Sequence, residues 1–316
     1  MLVRLARRVG VFLASLLVSS VVVFAFMAIL PGDPARVALG VSASDSAVAQ
    51  LRHEFGLDRP LVAQYLDWMK GLVTFHLGDS YVSHAAIGPQ IADRIQVTLW
   101  LVVAAMIVAL VVAVPVGTLM AVRHRRLSGL VLSAASQVGV AIPAFLAGIL
   151  LITVFAVRLG WLPANGWTAP GIDFGQFLRQ LVLPALSLGL VQAAVLTRYV
   201  RSAVLDVLRE DYLRTARAKG LRPGRALVRH GLRNAAIPVV TVLALQLATL
   251  FIGAVVVERV FVVPGLGSLL LDSVSNRDLV VVQDIVMILV VVVLLMNLVV
   301  DLLYVVIDPR LRGADS

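Results

Sequence analysis

Long apolar stretches dominate this sequence and restrict it to folds that are stable in a lipid bilayer. Six of them are found, over residues 9–30, 97–122, 127–157, 181–200, 235–263 and 279–307. Each reaches the ~20 residues that a helix needs to cross a bilayer. Because backbone groups in lipid must satisfy their own hydrogen bonds, all six are predicted to be helices. The charged fraction of 14% agrees, since soluble proteins contain about a quarter charged residues.

The first stretch follows Arg4, Arg7 and Arg8, an arrangement that signal peptides also show. The apolar core of a signal peptide is only about 7 to 15 residues long and ends at a small-x-small cleavage site. This stretch stays apolar up to Pro31. It is therefore predicted to be the first membrane span.

Arginines are concentrated on alternate connections between the stretches, which is the pattern that orients a helical membrane protein. They cluster at residues 4–8, 123–126, 198–233 and 310–312, whereas the connections 31–96, 158–180 and 264–278 are near charge balance. The positive-inside rule places the arginine-rich side, with both termini, in the cytoplasm. The net charge of +9 follows from this topology. A nucleic-acid partner is disfavoured because aromatic stacking residues are not interleaved with the arginines.

The connection 31–96 on the outer side is predicted to carry two short helices. Ser44 and Asp45 are suited to begin a helix that runs through Phe55 and stops at Gly56. Pro60 is suited to open a second helix, in which apolar and aromatic residues recur at helical spacing up to Leu72. This segment is either a lid on the outer face or an interfacial anchor built on Trp and Tyr.

The residues needed for enzymatic chemistry are not found at the required spacing. His53 and Glu54 begin the zinc motif H-E-x-x-H, but Leu57 occupies the second histidine position. A P-loop needs Gly-Lys followed by Ser or Thr, and the two lysines, Lys70 and Lys219, follow Met and Ala. Cysteine does not occur. The chain is predicted not to be an enzyme and to bind no ATP itself, and no metal or catalytic residue is assigned.

A few polar or helix-bending residues interrupt the apolar stretches. Asn297 and Asp301 lie one turn apart on the last stretch and are expected to bond to neighbouring helices. Glu258 and Arg259 close the fifth stretch, either as an interfacial pair or as part of an outer gate. Kinks are allowed at three proline and glycine pairs, namely Pro115 with Gly117, Pro143 with Gly148, and Pro184 with Gly189.

The connection between the fourth and fifth stretches contains a short helix whose two ends are both marked. Asp211 is suited to the N-cap, and Gly220 to the left-handed position after the last turn. Lys219 favours the negative end of the helix dipole. Pro223 is suited to open a second helix leading back to the membrane. A rigid helix-turn-helix is predicted, which is suited to transmitting force to the spans that it joins.

Residues 211–220, together with Arg229-His230-Gly231-Leu232-Arg233-Asn234 and Pro238, resemble the cytoplasmic loop of binding-protein-dependent ABC importer permeases in the dipeptide/oligopeptide (peptide/nickel) branch. In the general loop, E-A-A is followed by three residues and then by the glycine. Arg214, Thr215 and Ala216 occupy the E-A-A positions in this chain. The Glu is therefore absent, and so is the Pro that ends the general pattern, because Arg233 stands in its place. Similar signatures lie at residues 30–34, 56–65, 75–80, 94–99, 257–261, 264–267, 276–278 and 308–310, and Phe75, His76 and Gln96 are the departures from them.

The resemblance implies an all-α type I permease fold of six transmembrane helices in a multi-pass inner-membrane protein. It implies one domain, 1–316, with an extracytoplasmic segment 31–96 and a cytoplasmic coupling loop 201–234. The implied partners are a second homologous permease, two cytoplasmic ATPases that bind ATP and Mg, and an extracytoplasmic substrate-binding protein. The implied solutes are di- and oligopeptides, with nickel, glutathione or another small solute as the alternative. A self-contained channel or receptor leaves the loop unexplained.

The resemblance also implies roles for two sets of residues. The residues that couple to the ATPase are Asp211, Tyr212, Thr215, Ala216, Ala218, Lys219 and Gly220. The residues expected at the outer gate are Glu258, Arg259, Pro264, Gly265 and Gly267.

Overall fold

A computed structural model describes the backbone of residues 2–29, 33–39 and 43–307 and the side chains of 6–29, 33–39 and 43–299. Helices account for most of these residues, and the described chain has no β-strand beyond an isolated bridge between Asp79 and Ala86. The helices are α1 (Leu2–Ile29), α2 (Pro34–Leu39), α3 (Asp45–Glu54), α4 (Leu61–Thr74), α5 (Ile87–Val122), α6 (Leu127–Ala141), α7 (Ala144–Leu151), α8 (Phe174–Leu208), α9 (Asp211–Ala218), α10 (Pro223–Ala226), α11 (Leu232–Val260), α12 (Leu266–Ser275) and α13 (Leu279–Ile307).

The predicted all-α membrane architecture is confirmed. Within the described ranges, five helices are long and apolar enough to cross a membrane, or six if one bent pair counts as a single span. The five are α1, α5, α8, α13 and a continuous helix, Pro223–Val260, in which a π-helical turn at Leu227–Gly231 joins α10 to α11. A second π-helical segment, Ile152–Arg158, extends α7.

The third apolar stretch does not form the single helix expected from its length. It breaks between α6 and α7, and the two halves are bent by 101°. Ile142 leaves the helical region (φ −84°, ψ 119°), as expected of a residue before proline, and Pro143 becomes the N-cap of α7. The kink allowed at Pro143 is therefore a complete break.

The other two prolines behave differently, because Pro115 and Pro184 both lie inside uninterrupted helices. The glycines near them serve close packing between α5 and α8. A Cβ at Gly117 would lie 2.7 Å from the carbonyl oxygen of Thr197, and one at Gly189 would lie 2.7 Å from that of Ala105. Small residues of this kind let helix backbones approach each other in a membrane.

The described residues fall into two compact units. Unit 1 comprises those of Met1–Thr98 and Pro264–Leu298, and unit 2 those of Leu99–Val263 and Val299–Ser316. Each has its own buried apolar cluster. The cluster of unit 1 includes Ile87, Ile91, Leu266, Val281 and Ile285. That of unit 2 includes Ala109, Ala113, Leu196, Val204, Leu213 and Leu227.

Both short helices expected between residues 31 and 96 are present. Ser44 caps α3 by accepting a hydrogen bond from the backbone N–H of Ala47, and Gly56 follows the helix with a positive φ of 67°. Pro60 precedes α4. Two further short helices, α2 and α12, were not expected from the sequence.

Candidate functional site

The predicted coupling helix is α9, and its start differs by one residue from the prediction. The N-cap is Glu210 (φ −68°, ψ 141°), so the assignment of Asp211 to that position is wrong. Asp211 is the first helical residue, and its carboxylate accepts a hydrogen bond from Arg214 at 3.3 Å instead of capping the backbone. Its negative charge still lies at the positive end of the helix dipole.

The end of α9 has the predicted glycine geometry. Gly220 has a φ of +88°, a conformation that costs glycine little. Its N–H donates to the Arg217 carbonyl at 2.9 Å, and the Leu221 N–H donates to the Ala216 carbonyl at 3.2 Å. These two bonds form a Schellman motif. Pro223 opens α10 three residues after Gly220, as predicted.

Helix α9 is anchored to its neighbours on one side. Leu213 is only 1% exposed and packs in the apolar cluster of unit 2. Gly231 makes room for the side chains of Leu227 and Val207 in the same cluster, because a Cβ there would lie 2.6 Å from Leu227 Cδ1 and 3.1 Å from Val207 Cγ1. The Arg217 guanidinium donates to the carbonyl of Leu208 at 3.3 Å, which joins α9 to the end of α8. The helix is thus fixed to α8 and to the start of Pro223–Val260.

The opposite side of α9 is accessible and carries most of the predicted coupling residues. Ala216 is half-buried, and the exposed residues of the set are Asp211, Tyr212, Thr215, Ala218, Lys219 and Gly220. Thr215 bonds through its hydroxyl to the Asp211 carbonyl at 3.0 Å. The arrangement presents a firmly held helix with a polar and aromatic outer surface.

The residues expected at the outer gate lie in different surroundings. Glu258 is fully buried near the end of α11, whereas the adjacent Arg259 is exposed. Both belong to unit 2. Pro264, Gly265 and Gly267 belong to unit 1, where Gly265 is the buried N-cap of α12 and Gly267 is buried in its first turn. The gate assignment stays a prediction.

Buried polar contacts in unit 1 were missed by the sequence reasoning. Asp284 is fully buried in α13 and accepts a hydrogen bond from the indole N–H of Trp68 at 2.8 Å. Asp278, just before α13, accepts a hydrogen bond from the Ser80 hydroxyl. An ionisable residue inside an apolar stretch is a signal in itself. That signal selected Asp301, whose side chain lies outside the described residues, but was not applied to Asp284.

Two descriptions of transport-system membrane components match most of this chain. The family described as "Binding-protein-dependent transport system inner membrane component" matches residues 113–313, and its N-terminal counterpart, "Binding-prot-dependent transport system membrane comp, N-term", matches residues 1–102. A crystal structure of an amino acid ABC transporter with histidines is 17% identical with a TM-score of 0.49, covering 68% of this chain and 92% of that one.

Two curated relatives are similar along nearly their whole length. The glutathione transport system permease proteins GsiC of Escherichia coli O6:H1 and of Salmonella choleraesuis are each 42% identical over 301 residues. In both cases the match covers 94% of this chain and 95% of the relative. The chain therefore belongs to the binding-protein-dependent transport system inner membrane components and is a multi-pass permease subunit of an ABC importer.

Proposed function

We propose that this permease pairs with a second, homologous permease and that two ATPase subunits dock on the exposed side of α9. In this proposal ATP and Mg are bound by the ATPases alone, this chain carries no cofactor, and an extracytoplasmic protein delivers the solute. Helix α9 and both termini lie in the cytoplasm. The segment 31–96 lies outside, and Glu258, Arg259, Pro264, Gly265 and Gly267 contribute to the outer gate.

The observation that carries this proposal is the way α9 is held. A docking helix transmits motion only if it moves together with the spans beside it. Leu213 and Arg217 attach α9 to α8, and the Schellman motif at Gly220 fixes the turn into Pro223–Val260. A force on the outer surface of α9 therefore reaches two membrane helices directly.

The solute in this proposal is a small peptide. The curated relatives are named as permeases of glutathione transport, and glutathione is itself a tripeptide. A glutathione-like tripeptide is thus the favoured member of the class, with nickel or another small solute as the alternative. Binding measurements on the partner substrate-binding protein, with glutathione, dipeptides and Ni²⁺ as separate probes, identify the solute. Binding of Ni²⁺ without any peptide would overturn the peptide assignment.

The backbone of the coupling helix is tested by Gly220→Ala with Gly224→Ala as the matched control. A Cβ meets nothing within 4 Å at either glycine, but only Gly220 has a positive φ. Alanine in that conformation costs about 1 kcal/mol, so Gly220→Ala is expected to disturb the Schellman turn. Measured in nanodiscs with all subunits, ATP hydrolysis stimulated by the solute-loaded binding protein should fall, whereas Gly224→Ala should match wild type.

The outer surface of α9 is tested by a substitution that leaves its backbone alone. Ala218→Tyr adds a bulky ring to the exposed surface, and Ala49→Tyr makes the same change on the exposed side of α3. Co-purification of the ATPase subunits should be lost for Ala218→Tyr and retained for Ala49→Tyr. Full ATPase recovery and normal stimulation with Ala218→Tyr would rule out docking at this surface.

A further inference from the structure

Unit 1 contains a cavity of about 780 Å³ between α1, α3, α4 and the beginning of α13. Four aromatic residues line it: Phe24, Phe55, Trp68 and Tyr81. The rings of Phe55 and Tyr81 are stacked with centroids 3.9 Å apart, and those of Phe24 and Trp68 are 6.0 Å apart. Aromatic faces carry partial negative charge, and groups of them are the usual protein surface for binding organic cations.

Acids outnumber bases among the charged residues that line this cavity. The acids are Asp33, Glu54, Asp67 and Asp79, and the bases are Arg52 and Arg59. Each arginine is already paired with one of these acids, Arg52 with Asp33 at 3.0 Å and Arg59 with Asp67. The lining therefore leaves Glu54 and Asp79 without a basic partner within the cavity, and it favours a positively charged ligand.

Two buried carboxylates adjoin the aromatic part of the lining without belonging to it. Trp68 donates to one oxygen of Asp284, and Ser80 donates to one oxygen of Asp278. The two aspartates are 0% and 5% exposed, and the second oxygen of each is buried without a hydrogen-bond partner among the described residues. A buried carboxylate without a cationic partner is unfavourable.

Tyr81 connects these carboxylates to the cavity. Burial raises the pKa of its hydroxyl, and the negative charges of Asp278 and Asp284 raise it further. Tyr81, which lines the cavity, therefore lies within the electric field of both aspartates. Among the residues that line the cavity, Trp68 donates directly to Asp284, and Tyr81 is affected by the charges of both aspartates.

We propose that the cavity binds the ammonium group of a small amine-bearing ligand against Trp68 and Tyr81. The aromatic faces supply cation–π attraction, and the positive charge of the ligand in turn favours the ionised forms of Asp278 and Asp284. A neutral ligand of the same shape gains neither term. This site does not depend on the docking of ATPases at α9, because all of its residues belong to unit 1.

The probe that tests the site is alaninamide, which carries an ammonium group and no carboxylate, compared with the neutral N-acetylalaninamide. Isothermal titration calorimetry on the purified full chain in detergent should show alaninamide binding at least about tenfold more tightly, as expected for a charge-assisted contact. Equal affinity for the two probes, or no measurable heat with millimolar alaninamide, would overturn the proposal. ATPase activity and transport are not read out, so failure here is separate from failure of the docking proposal.

Isosteric variants test whether the two buried aspartates cause the tighter binding of alaninamide. Asp284→Asn removes the charge but keeps the oxygen that accepts from Trp68, and Asp278→Asn does the same for Ser80. Alaninamide binding should weaken by about tenfold for Asp284→Asn. The control is Asp45→Asn, an exposed acid of α3 that pairs with Arg36 and does not line the cavity. Wild-type affinity in both Asp284→Asn and Asp278→Asn would exclude the two carboxylates and overturn the site.

Discussion

In unit 2, helices α5 and α8 approach each other at glycines, whereas in unit 1 the short segments are joined to α13 by buried polar side chains. Gly117 and Gly189 would each place a Cβ 2.7 Å from a backbone carbonyl of the other helix. In unit 1, Trp68 and Ser80 instead donate to Asp284 and Asp278. Long apolar helices in lipid gain most from close van der Waals packing. Short helices have less surface to pack, so individual polar contacts contribute more to positioning them.

The first test of this comparison replaces a glycine at a close contact between two helices of unit 2. Gly117→Val would force side-chain atoms against the Thr197 carbonyl and against Val200 Cβ, each already 2.7 Å from a Cβ at this position. A backbone oxygen cannot rotate away, so the helices must separate. We expect a loss of about 3 kcal/mol in stability, seen as a lower midpoint of thermal unfolding followed by circular dichroism.

The matched control is Gly10→Val, because a Cβ at Gly10 in α1 meets nothing within 4 Å. Both substitutions place a β-branched residue inside a long apolar helix, so their effects on helix propensity are alike. An equal decrease in melting temperature for the two variants would show that propensity, and not the close approach, governs unit 2.

The corresponding change in unit 1 removes a polar contact. Ser80→Ala leaves the buried Asp278 carboxylate without its donor and removes the oxygen that accepts from the N–H groups of Val82 and Ser83. Loss of a partner for a buried charged group costs about 2 kcal/mol, so the midpoint of thermal unfolding should fall. Ser83→Ala, at an exposed serine three residues away, should leave it unchanged. Stability of Ser80→Ala equal to that of Ser83→Ala would contradict the polar account of unit 1.

The features that were predictable from sequence are those determined by neighbouring residues. Ser44 and Gly56 mark α3, and Gly220 marks the end of α9, because caps depend on a few consecutive residues. The contact between Trp68 and Asp284 joins residues 216 positions apart in the sequence, so no local sequence pattern predicts it. Likewise Gly231 was part of a recognised motif, but its close approach to Leu227 and Val207 appears only in the folded structure.

The three prolines of the apolar stretches also show that neighbouring residues alone do not determine the local structure. Pro115, Pro143 and Pro184 all lie in apolar stretches with a glycine nearby, yet only Pro143 breaks its helix. Pro115 lies in α5 and Pro184 lies in α8. Within unit 2 these two helices pack closely at Gly117 and Gly189. Packing between two long helices compensates for a lost hydrogen bond. The pattern around a proline therefore permits a kink without determining it.

A third substitution sharpens the contrast between rigid and flexible contacts within unit 2. At Gly231 a Cβ would meet the ends of side chains, Leu227 Cδ1 at 2.6 Å and Val207 Cγ1 at 3.1 Å. Side-chain ends move more easily than backbone, so Gly231→Ala should cost only about 1 kcal/mol, clearly less than Gly117→Val. Limited proteolysis should show faster cleavage around α9, with Gly224→Ala as the control. A loss as large as that of Gly117→Val would mean that α9 is seated as rigidly as the spans.

The smallest effect is expected for an exposed ion pair in unit 1. His53 at the end of α3 contacts Asp58 at 2.6 Å, and both residues lie at the surface. The hydrogen bond and charge of Asp58 raise the pKa of His53 above its ordinary 6.5, and the bond to His53 lowers the pKa of Asp58 below 3.8. The pair therefore contributes fully between these two values. Its contribution is lost as the pH rises through the raised pKa or falls through the lowered one.

The His53–Asp58 pair tests whether exposed polar contacts stabilise unit 1 as much as buried ones do. Titration of the His53 imidazole by NMR should show its pKa fall toward 6.5 in Asp58→Asn and stay raised in the control Asp45→Asn. Since salt screens surface pairs, the thermal midpoint of Asp58→Asn should be close to that of wild type at pH 6, in contrast to Ser80→Ala. A decrease in the thermal midpoint as large as that of Ser80→Ala would show that exposed charges also position the short helices of unit 1. Burial would then not be what makes the contacts of Asp278 and Asp284 effective.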